Sequence, residues 1–176
     1  MPSIVPIDAV PPALHEELLD AVFGADRSSR TAYRIREGLE RLAGLSFAAL
    51  DDEDFLAGTI ELWPVSLTDE DGRQYPLLMV GPVAVAPGRQ NEGYGRALMA
   101  AALGAVEGPA TAEKPALPQV LIGDPDYYGK WDFTAAPTGG WDTPGPVEAH
   151  RLLVRCTNPA VLPRRGMLGP WRRETG

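Results

Sequence analysis

The sequence predicts an α/β domain of the mixed α+β kind, with a central, mostly antiparallel sheet flanked by helices. Apolar residues make up 44% of the 176 residues, which is enough for a hydrophobic core. Two segments with helical spacing of apolar residues open the chain, and strand-like segments follow them. A glycine-rich turn then joins a buried strand to a further amphipathic helix. Helices and strands mixed in this order around one core indicate an α/β fold.

The first two segments are predicted to be helices. Residues 11–25 begin with two prolines, which suit a first helical turn, and carry an apolar stripe made by Leu14, Leu18, Val22 and Phe23. His15 is expected on the polar side of this helix. Residues 28–43 form the second predicted helix, with serine at its start and Gly44 to end it.

The remaining regular segments are predicted to be strands, apart from a helix from about Tyr94 to Val106 and a short helix over 126–131. The predicted strands are 46–50, 55–65, 77–86, 119–122 and 149–156. The strand over 77–86 is almost continuously apolar, as a central strand buried on both faces is. Pro82 lacks an N–H donor and predicts a bulge or a break there. Residues 134–147 are rich in Gly, Pro and Thr and are predicted to be irregular.

Charge divides the sequence into an acidic body and a basic tail. The formal net charge is −8, but residues 149–176 hold six arginines and one acid, so they carry +5 and residues 1–148 carry −13. An acidic body disfavours binding to nucleic-acid phosphates, so no nucleic-acid partner is expected. The tail either folds back on the acidic body, which is the simpler interpretation, or binds a polyanion. We expect one domain over residues 1–157 and an arginine-rich tail over 158–176, packed on that domain or extending from it.

The single cysteine, Cys156, excludes an intramolecular disulfide and a cysteine-rich zinc site. A reducing, cytoplasmic location fits this composition. No apolar run approaches the roughly 20 residues of a membrane helix, and the N-terminus lacks the pattern of a signal peptide, so no membrane partner is expected. His15, His150 and Cys156 lack the spacing of metal ligands, so we expect no metal.

A glycine-rich loop carries the main functional signal. The strand over 83–86 runs into a loop with glycines at positions 93 and 95, and the loop opens directly into a helix. Backbone N–H groups at the start of a helix bind phosphate without a lysine. The loop has no Gly-Lys-Ser/Thr ending, which excludes a Walker A loop. Its spacing is not Gly-x-Gly-x-x-Gly and no βαβ unit precedes it, which excludes a dinucleotide fingerprint.

The loop residues Gln90-Asn91-Glu92-Gly93-Tyr94-Gly95 fit the pattern Arg/Gln-x-x-Gly-x-Gly/Ala. Together with the Val-x-Val strand before it, this segment resembles the acyl-CoA pyrophosphate loop of the GNAT superfamily of N-acetyltransferases. The order of predicted elements agrees with that family over about residues 1–157. Residues 123–133 resemble the family's Tyr-x-x-x-Gly-Phe segment, with Tyr128 five residues before Phe133 and Asp132 where glycine is usual.

The resemblance implies a GNAT-like sheet in which two parallel strands splay apart to admit acyl-CoA. It implies acetyl-CoA as co-substrate, with the backbone of Val83 and Val85 binding the pantetheine arm. The pyrophosphate is expected on backbone N–H groups of the loop, namely those of Gln90, Asn91, Glu92, Gly93, Tyr94, Gly95 and Arg96. Tyr128 is the expected general acid for the departing thiolate, because phenol and thiol have reference pKa values of roughly 10 and 8.5.

The acceptor is expected to be a primary amine of a small molecule or a protein, acetylated by direct transfer in a ternary complex. Such an amine must lose a proton, and Glu61 is a candidate base, directly or through water. His150, on the last predicted strand, is a second candidate base. Two other functions stay open: a non-catalytic acyl-CoA-binding or regulatory domain, and an interaction protein that uses the basic tail. The oligomeric state also stays open, with a homodimer as one alternative.

Overall fold

The protein is described here by a computed structural model covering residues 3–172. Eight strands form a mixed, mostly antiparallel sheet accompanied by helices, which confirms the predicted fold class. The strands are β1 (Ser3–Pro6), β2 (Phe47–Leu50), β3 (Leu56–Thr68), β4 (Gln74–Val85), β5 (Gln119–Ile122), β6 (Gly140–Asp142), β7 (Leu152–Arg155) and β8 (Arg165–Pro170). The α-helices are α1 (Pro12–Phe23), α2 (Thr31–Ile35), α3 (Tyr94–Glu107) and α4 (Pro125–Tyr128).

The chain divides into two compact units. The strands β3 and β4 each have one end in the first unit and the other end in the second. The first unit comprises Met1–Ser28, Arg41–Leu62 and Val80–Ala116, and the second comprises Ser29–Glu40, Trp63–Met79 and Leu117–Gly176. Among residues 3–172, no helix combines the length and the apolar character that crossing a membrane requires.

In the first unit, neighbouring strands follow the order β1-β2-β3-β4. β2 pairs antiparallel with both β1 and β3, and its register with β3 shifts between Ala49 and Leu50. α3 contacts β1 and β2. The helix buries the apolar stripe that its sequence predicts, namely Leu98, Met99, Ala102, Leu103 and Val106. α1 packs Leu18 and Leu19 against Ala84 of β4.

The buried face of α1 starts one position later than predicted, at His15 rather than at Leu14. Leu14 is 47% exposed, whereas His15, which was expected on the polar side, is only 3% exposed. The helix buries His15, Leu18 and Leu19, and Val22 and Phe23 lie partly buried beside them. These positions follow the i, i+3, i+4, i+7, i+8 spacing of one helix face. A stripe that starts at His15 holds four large apolar side chains, whereas one that starts at Leu14 holds three and an alanine.

The second unit contains the parallel strand pair expected from the resemblance. β4 pairs parallel with β5 through Leu78 and Met79, and β5 pairs antiparallel with β7. Residues 165–170 of the arginine-rich tail form β8, which pairs antiparallel with β3 and parallel with β6. The buried core of this unit is made of Ile35, Val65, Leu67, Leu77, Met79, Val120, Trp141, Leu152, Val154 and Leu168.

The predicted second helix, over 28–43, is wrong for most of its length. α2 covers only Thr31–Ile35, since Arg36 leaves the helical region and Gly38 adopts a φ of +76°. Further on, the N–H of Leu42 donates to the Leu62 carbonyl at 2.7 Å. In a continuing helix the Leu42 N–H would instead donate to the carbonyl four residues before it, so the hydrogen bond to β3 takes the place of a helical one.

β4 runs through Pro82, with a cis peptide bond between Gly81 and Pro82. Two other predictions about regular structure need correction. The strand expected over 149–156 begins as a 3₁₀ turn, Ala149–Arg151, and becomes extended only in β7. The irregular stretch over 134–147 contains β6, whose Trp141 is 7% exposed and donates its Nε1–H to Pro163 O at 2.9 Å.

Replacing Gly58 by alanine should destabilise the first unit. A Cβ at Gly58 would lie 2.7 Å from the backbone oxygen of Ala84 and 3.0 Å from Leu98 Cδ1. A strand carbonyl cannot swing away as a side chain can, so we expect the free energy of unfolding to fall by about 1–3 kcal/mol in urea denaturation. Gly104→Ala in α3 is the control. Nothing lies within 4 Å of that Cβ, and alanine should add up to about 1 kcal/mol of helix stability. Equal effects of the two substitutions would contradict the steric explanation.

Candidate functional site

The loop between β4 and α3 has the geometry of an anion site. Three of its residues have positive φ: Gly88 at +85°, Asn91 at +66° and Gly93 at +90°. The first backbone hydrogen bond of α3 runs from Ala97 N–H to Gly93 O, at 3.0 Å. The N–H groups of the turn before Ala97 therefore have no carbonyl of the helix to donate to.

Space around the loop is open. A Cβ at Gly88 or at Gly93 would meet nothing within 4 Å, and residues 90–93 are exposed. Within the described part of the chain, no side chain caps the start of α3. The helix start therefore combines unpaired donors with room for a ligand, which is the arrangement that binds phosphate groups.

Arg89 fixes the base of this loop. Its Nη2 donates to Asp51 Oδ2 at 2.9 Å and to the Tyr94 hydroxyl at 3.0 Å, and its Nε lies 3.4 Å from Glu92 Oε2. Asp51 is fixed in turn, since its Oδ1 accepts the N–H groups of Glu53 and Phe55, each at 2.9 Å. The sequence shows Asp51 only as part of an acidic turn, so its contact with the loop was not predicted.

The predicted pantetheine residues lie on β4 just before the loop. Val83 and Val85 are half-buried, and Ala84 between them is fully buried against α1. Ala86 N–H donates to Ala57 O at 2.8 Å, which holds the end of β4 beside β3. The seven predicted pyrophosphate residues follow, and among them only Tyr94 is buried.

Tyr128 ends α4 in the second unit. Asp124 caps this short helix by accepting the Asp126 N–H at 2.9 Å. The ring of Tyr128 packs edge-to-face on Tyr127, with centroids 4.9 Å apart, and lies 6.2 Å from the ring of Phe133. Burial, reinforced by the neighbouring Tyr127, raises the pKa of Tyr128 to about 12. Asp132 adopts a φ of +68°, a backbone conformation that favours glycine, which is the residue that the resemblance leads one to expect there.

Gly123→Ala should displace the Tyr128 ring. A Cβ at Gly123 would lie 2.5 Å from Tyr128 Cε2 and 2.8 Å from Cδ2, closer than van der Waals contact allows. We expect an altered near-ultraviolet circular dichroism spectrum. We also expect a lower Tm, because overpacking lowers the free energy of unfolding by about 1–3 kcal/mol. Gly129→Ala is the control, because its Cβ would meet nothing within 4 Å. An unchanged spectrum in Gly123→Ala would contradict this packing.

Glu61 belongs to a chain of polar groups in the first unit. It is 4% exposed, and its Oε1 accepts a hydrogen bond from Arg41 Nη1 at 3.1 Å. Arg41 Nη2 donates to the exposed Asp8, at 3.0 Å from its Oδ1. On the interior side, His15 Nε2 lies 3.9 Å from Glu61 Oε1. The chain therefore leads from a surface carboxylate to a buried imidazole.

His15 is the functional candidate that the sequence analysis missed. Burial lowers its pKa below 6.5, and the nearby Glu61 carboxylate opposes that shift. Two buried side-chain polar atoms have no hydrogen-bond partner among the described residues: His15 Nε2 and Thr59 Oγ1. A buried polar atom without a partner costs about 1–3 kcal/mol, so its presence in a native fold calls for a function or a ligand. The helical spacing of His15, Leu18 and Leu19 was the signal that could have revealed the burial.

The second candidate base, His150, and the single cysteine lie in the second unit. His150 sits in the 3₁₀ turn before β7, with a 68% exposed side chain 3.4 Å from Glu148. Cys156 is a half-buried free thiol. Over residues 3–172 there is no group of three or more His, Cys, Asp or Glu side chains that could hold a metal ion.

Comparison with known proteins gives one family and solved structures that share one fold with this chain. Residues 15–114 match the model of the family described as "Acetyltransferase (GNAT) domain". The chain superposes on the GNAT family N-acetyltransferase YhbS from Escherichia coli, solved with CoA. The TM-score is 0.69 at 23% identity, over 97% of this chain and 89% of that one. A GNAT family acetyltransferase from Brucella melitensis, solved with acetyl-CoA, gives a TM-score of 0.55 at 22% identity, over 89% and 97%. The comparison with curated proteins found no match.

Proposed function

Because the chain belongs to the GNAT acetyltransferase family, we propose that it transfers an acetyl group from acetyl-CoA to a primary amine of a small molecule or a protein. Transfer is direct, within a ternary complex. The observation that carries the proposal is the open loop before α3, where unpaired N–H groups meet at a helix start. Support also comes from the two structures with this fold, which were solved in complex with CoA and with acetyl-CoA.

The residues of the first unit suit the phosphates of acetyl-CoA. We assign the pyrophosphate to the backbone N–H groups of the loop residues Gln90, Asn91, Glu92, Gly93, Tyr94, Gly95 and Arg96. Backbone donors explain how a protein of net charge −8 can hold an anion with few basic side chains. The backbone of Val83 and Val85 would hold the pantetheine arm, and the first of these N–H groups would polarise the thioester oxygen.

Acetyl-CoA supplies an activated acetyl group as a thioester. The amine nitrogen forms the bond to the acetyl carbon, the carbon–sulfur bond breaks, and sulfur leaves with the electron pair. An ammonium acceptor loses two protons in all: the base takes the first, and the second replaces the proton that sulfur receives from its donor. We propose Tyr128 as the donor to sulfur. With a pKa of about 12, its hydroxyl stays protonated throughout the physiological range. Full proton transfer to a thiolate is uphill, so stabilisation by hydrogen bonding becomes the larger part of its role.

We propose that the group that accepts the proton of the amine lies in the polar chain around Glu61. A primary alkylamine with a reference pKa of about 10.4 is mostly protonated at neutral pH, so a base is needed. The charge of −13 over residues 1–148 attracts cationic acceptors, which favours amines that carry a positive charge. The single cysteine is consistent with a reducing, cytoplasmic setting for this reaction.

A thermal-shift titration with acetyl-CoA, CoA and a longer acyl-CoA tests the proposed co-substrate. A ligand that binds only the native state stabilises it by about 2.7 kcal/mol at 100 times its Kd. We expect Tm to rise with acetyl-CoA and with CoA. No shift with any of the three would contradict the proposal. A shift without acetylation of any amine would instead support the non-catalytic acyl-CoA-binding alternative.

A further inference from the structure

His15 is a buried imidazole that the proposed function has not yet used. It lies at the interior end of the first unit's polar chain, is 3% exposed, and has Nε2 unpaired among residues 3–172. A purely structural histidine of this burial normally donates or accepts a hydrogen bond at each buried nitrogen. Nε2 instead faces the Glu61 carboxylate from 3.9 Å, which is beyond hydrogen-bond distance.

The position of His15 on α1 connects it to the strand assigned to acetyl-CoA. Leu18 and Leu19 follow it by three and four residues, so the three side chains share one helix face. That face packs on Ala84 of β4, which lies between Val83 and Val85. Helical side chains lean toward the helix N-terminus. The His15 side chain therefore lies about one helical turn before the point where Leu18 and Leu19 contact Ala84.

The charges around His15 determine its protonation state. Burial lowers its pKa, as do Arg41 and Arg27, while Glu61 and Glu16 raise it. The net effect is a lowered pKa, so the ring is neutral at pH 7. The Glu61 carboxylate is already engaged by Arg41 Nη1 at 3.1 Å, whereas the imidazole Nε2 has no such partner within the described residues.

We propose that Nε2 of His15 is the atom that takes the proton from the acceptor amine, with Glu61 stabilising the imidazolium and Arg41 holding Glu61 in place. The inference rests on the proposed function and assigns its base. The proton passes from the ammonium nitrogen to Nε2, and the electron pair it leaves forms the nitrogen–carbon bond. The imidazolium then returns its proton to solvent. Glu61 is a positioning residue in this scheme, since it acts through His15.

The pH dependence of acetyl transfer is the first test. In the wild-type protein, kcat/KM should fall as pH drops below 6.5, because protonation of His15 removes the base. His15→Gln should lower kcat/KM by about 100-fold and abolish this acidic limb. Added imidazole should restore part of the activity of His15→Ala, which a purely structural loss would not allow. Glu17→Gln, an exposed position on the same helix, is the matched control and should change neither the rate nor the limb.

The stability of the free protein gives a readout that does not depend on activity. The unfolded chain binds a proton at His15 with a pKa of about 6.5, and the folded chain binds it at a lower pH. Stabilisation by the neutral ring is therefore complete above pH 6.5 and is lost as pH falls through the folded pKa. The free energy of unfolding should show this decline in the wild type and not in His15→Gln. The chain has two histidines, so comparing the NMR titration of the wild type with that of His150→Gln, a substitution at an exposed position, assigns the His15 signal.

The outcomes separate the inference from the proposed function. If acetyl-CoA binds and amines are acetylated, but His15→Gln keeps the wild-type kcat/KM and acidic limb, the inference fails and the proposed function stands. If His150→Gln, rather than His15→Gln, removed the acidic limb of the kcat/KM profile, the assignment of His15 as the base would also be overturned. If His15→Gln does not fold, the NMR titration of the wild type decides, since a His15 that titrates at 6.5 or above contradicts the inference. If the wild type neither binds acetyl-CoA nor acetylates an amine, both proposals fail.

Discussion

Replacing Gly93 by valine should raise the KM for acetyl-CoA by about 1000-fold. The φ of +90° at this residue costs a β-branched side chain about 2 kcal/mol or more. Relaxation away from that conformation would turn the first N–H groups of α3 from the phosphate, and each charge-assisted hydrogen bond lost costs about 1.5–3 kcal/mol. The loss of two such hydrogen bonds, about 4 kcal/mol, corresponds to roughly three powers of ten in KM. Titration of Tm against acetyl-CoA concentration measures the same loss.

Gly72→Val is the matched control for this substitution. Gly72 has a φ of +82° in the hairpin loop between β3 and β4, and nothing lies within 4 Å of a Cβ there. The backbone penalty is therefore the same, but this residue is not part of the proposed phosphate site. We expect Gly72→Val to lower Tm and to leave the KM for acetyl-CoA unchanged. Equal KM values for Gly93→Val and the wild type would refute the assignment of the phosphate loop.

Tyr128→Phe should lower kcat by about 100-fold to 1000-fold and leave acetyl-CoA binding almost unchanged. Phenylalanine keeps the ring that packs on Tyr127 and Phe133 and removes only the hydroxyl. A donor that stabilises developing negative charge contributes about this much to catalysis. Because the pKa of Tyr128 is about 12, its ionisation should cause no loss of kcat between about pH 7 and 10.

Tyr127→Phe serves as the control for this variant. Tyr127 is the neighbouring tyrosine, 4.9 Å from Tyr128 between ring centroids, and no catalytic role is assigned to it. Its replacement should leave kcat within a few-fold of the wild type. If Tyr128→Phe retained the wild-type kcat, the tyrosine would be a packing residue and the leaving thiolate would need no protein donor.

The strand, loop and helix of the proposed phosphate site could be predicted from the sequence because all of their signals are local. The Val-x-Val strand, the two glycines and the stripe of α3 lie within one continuous segment, and the structure places β4, the loop and α3 where that segment predicts them. Periodicity also predicted which residues of α3 are buried. Local patterns of this kind carry most of the information that determines a helix or a strand.

The rest depended on contacts between distant residues. The polar chain joins Asp8, His15, Arg41 and Glu61, which come from two separate segments of the first unit. No spacing rule connects them. The short β6 and β8 were missed because each is specified by its pairing partner and by the burial of Trp141 rather than by alternation. α2 was overestimated because the apolar stripe continues past Gly38, whose positive φ ends any helix.

Acetyl transfer itself is the central claim, and mass spectrometry tests it most directly. The protein would be incubated with isotopically labelled acetyl-CoA and a panel of cationic primary amines, with Gly93→Val as the matched negative control. We predict that the label appears as an amide on at least one amine, in step with the release of free CoA thiol, and that Gly93→Val forms almost none at the same concentration. Binding of acetyl-CoA with no labelled amide above the uncatalysed rate on any amine of the panel would contradict the account.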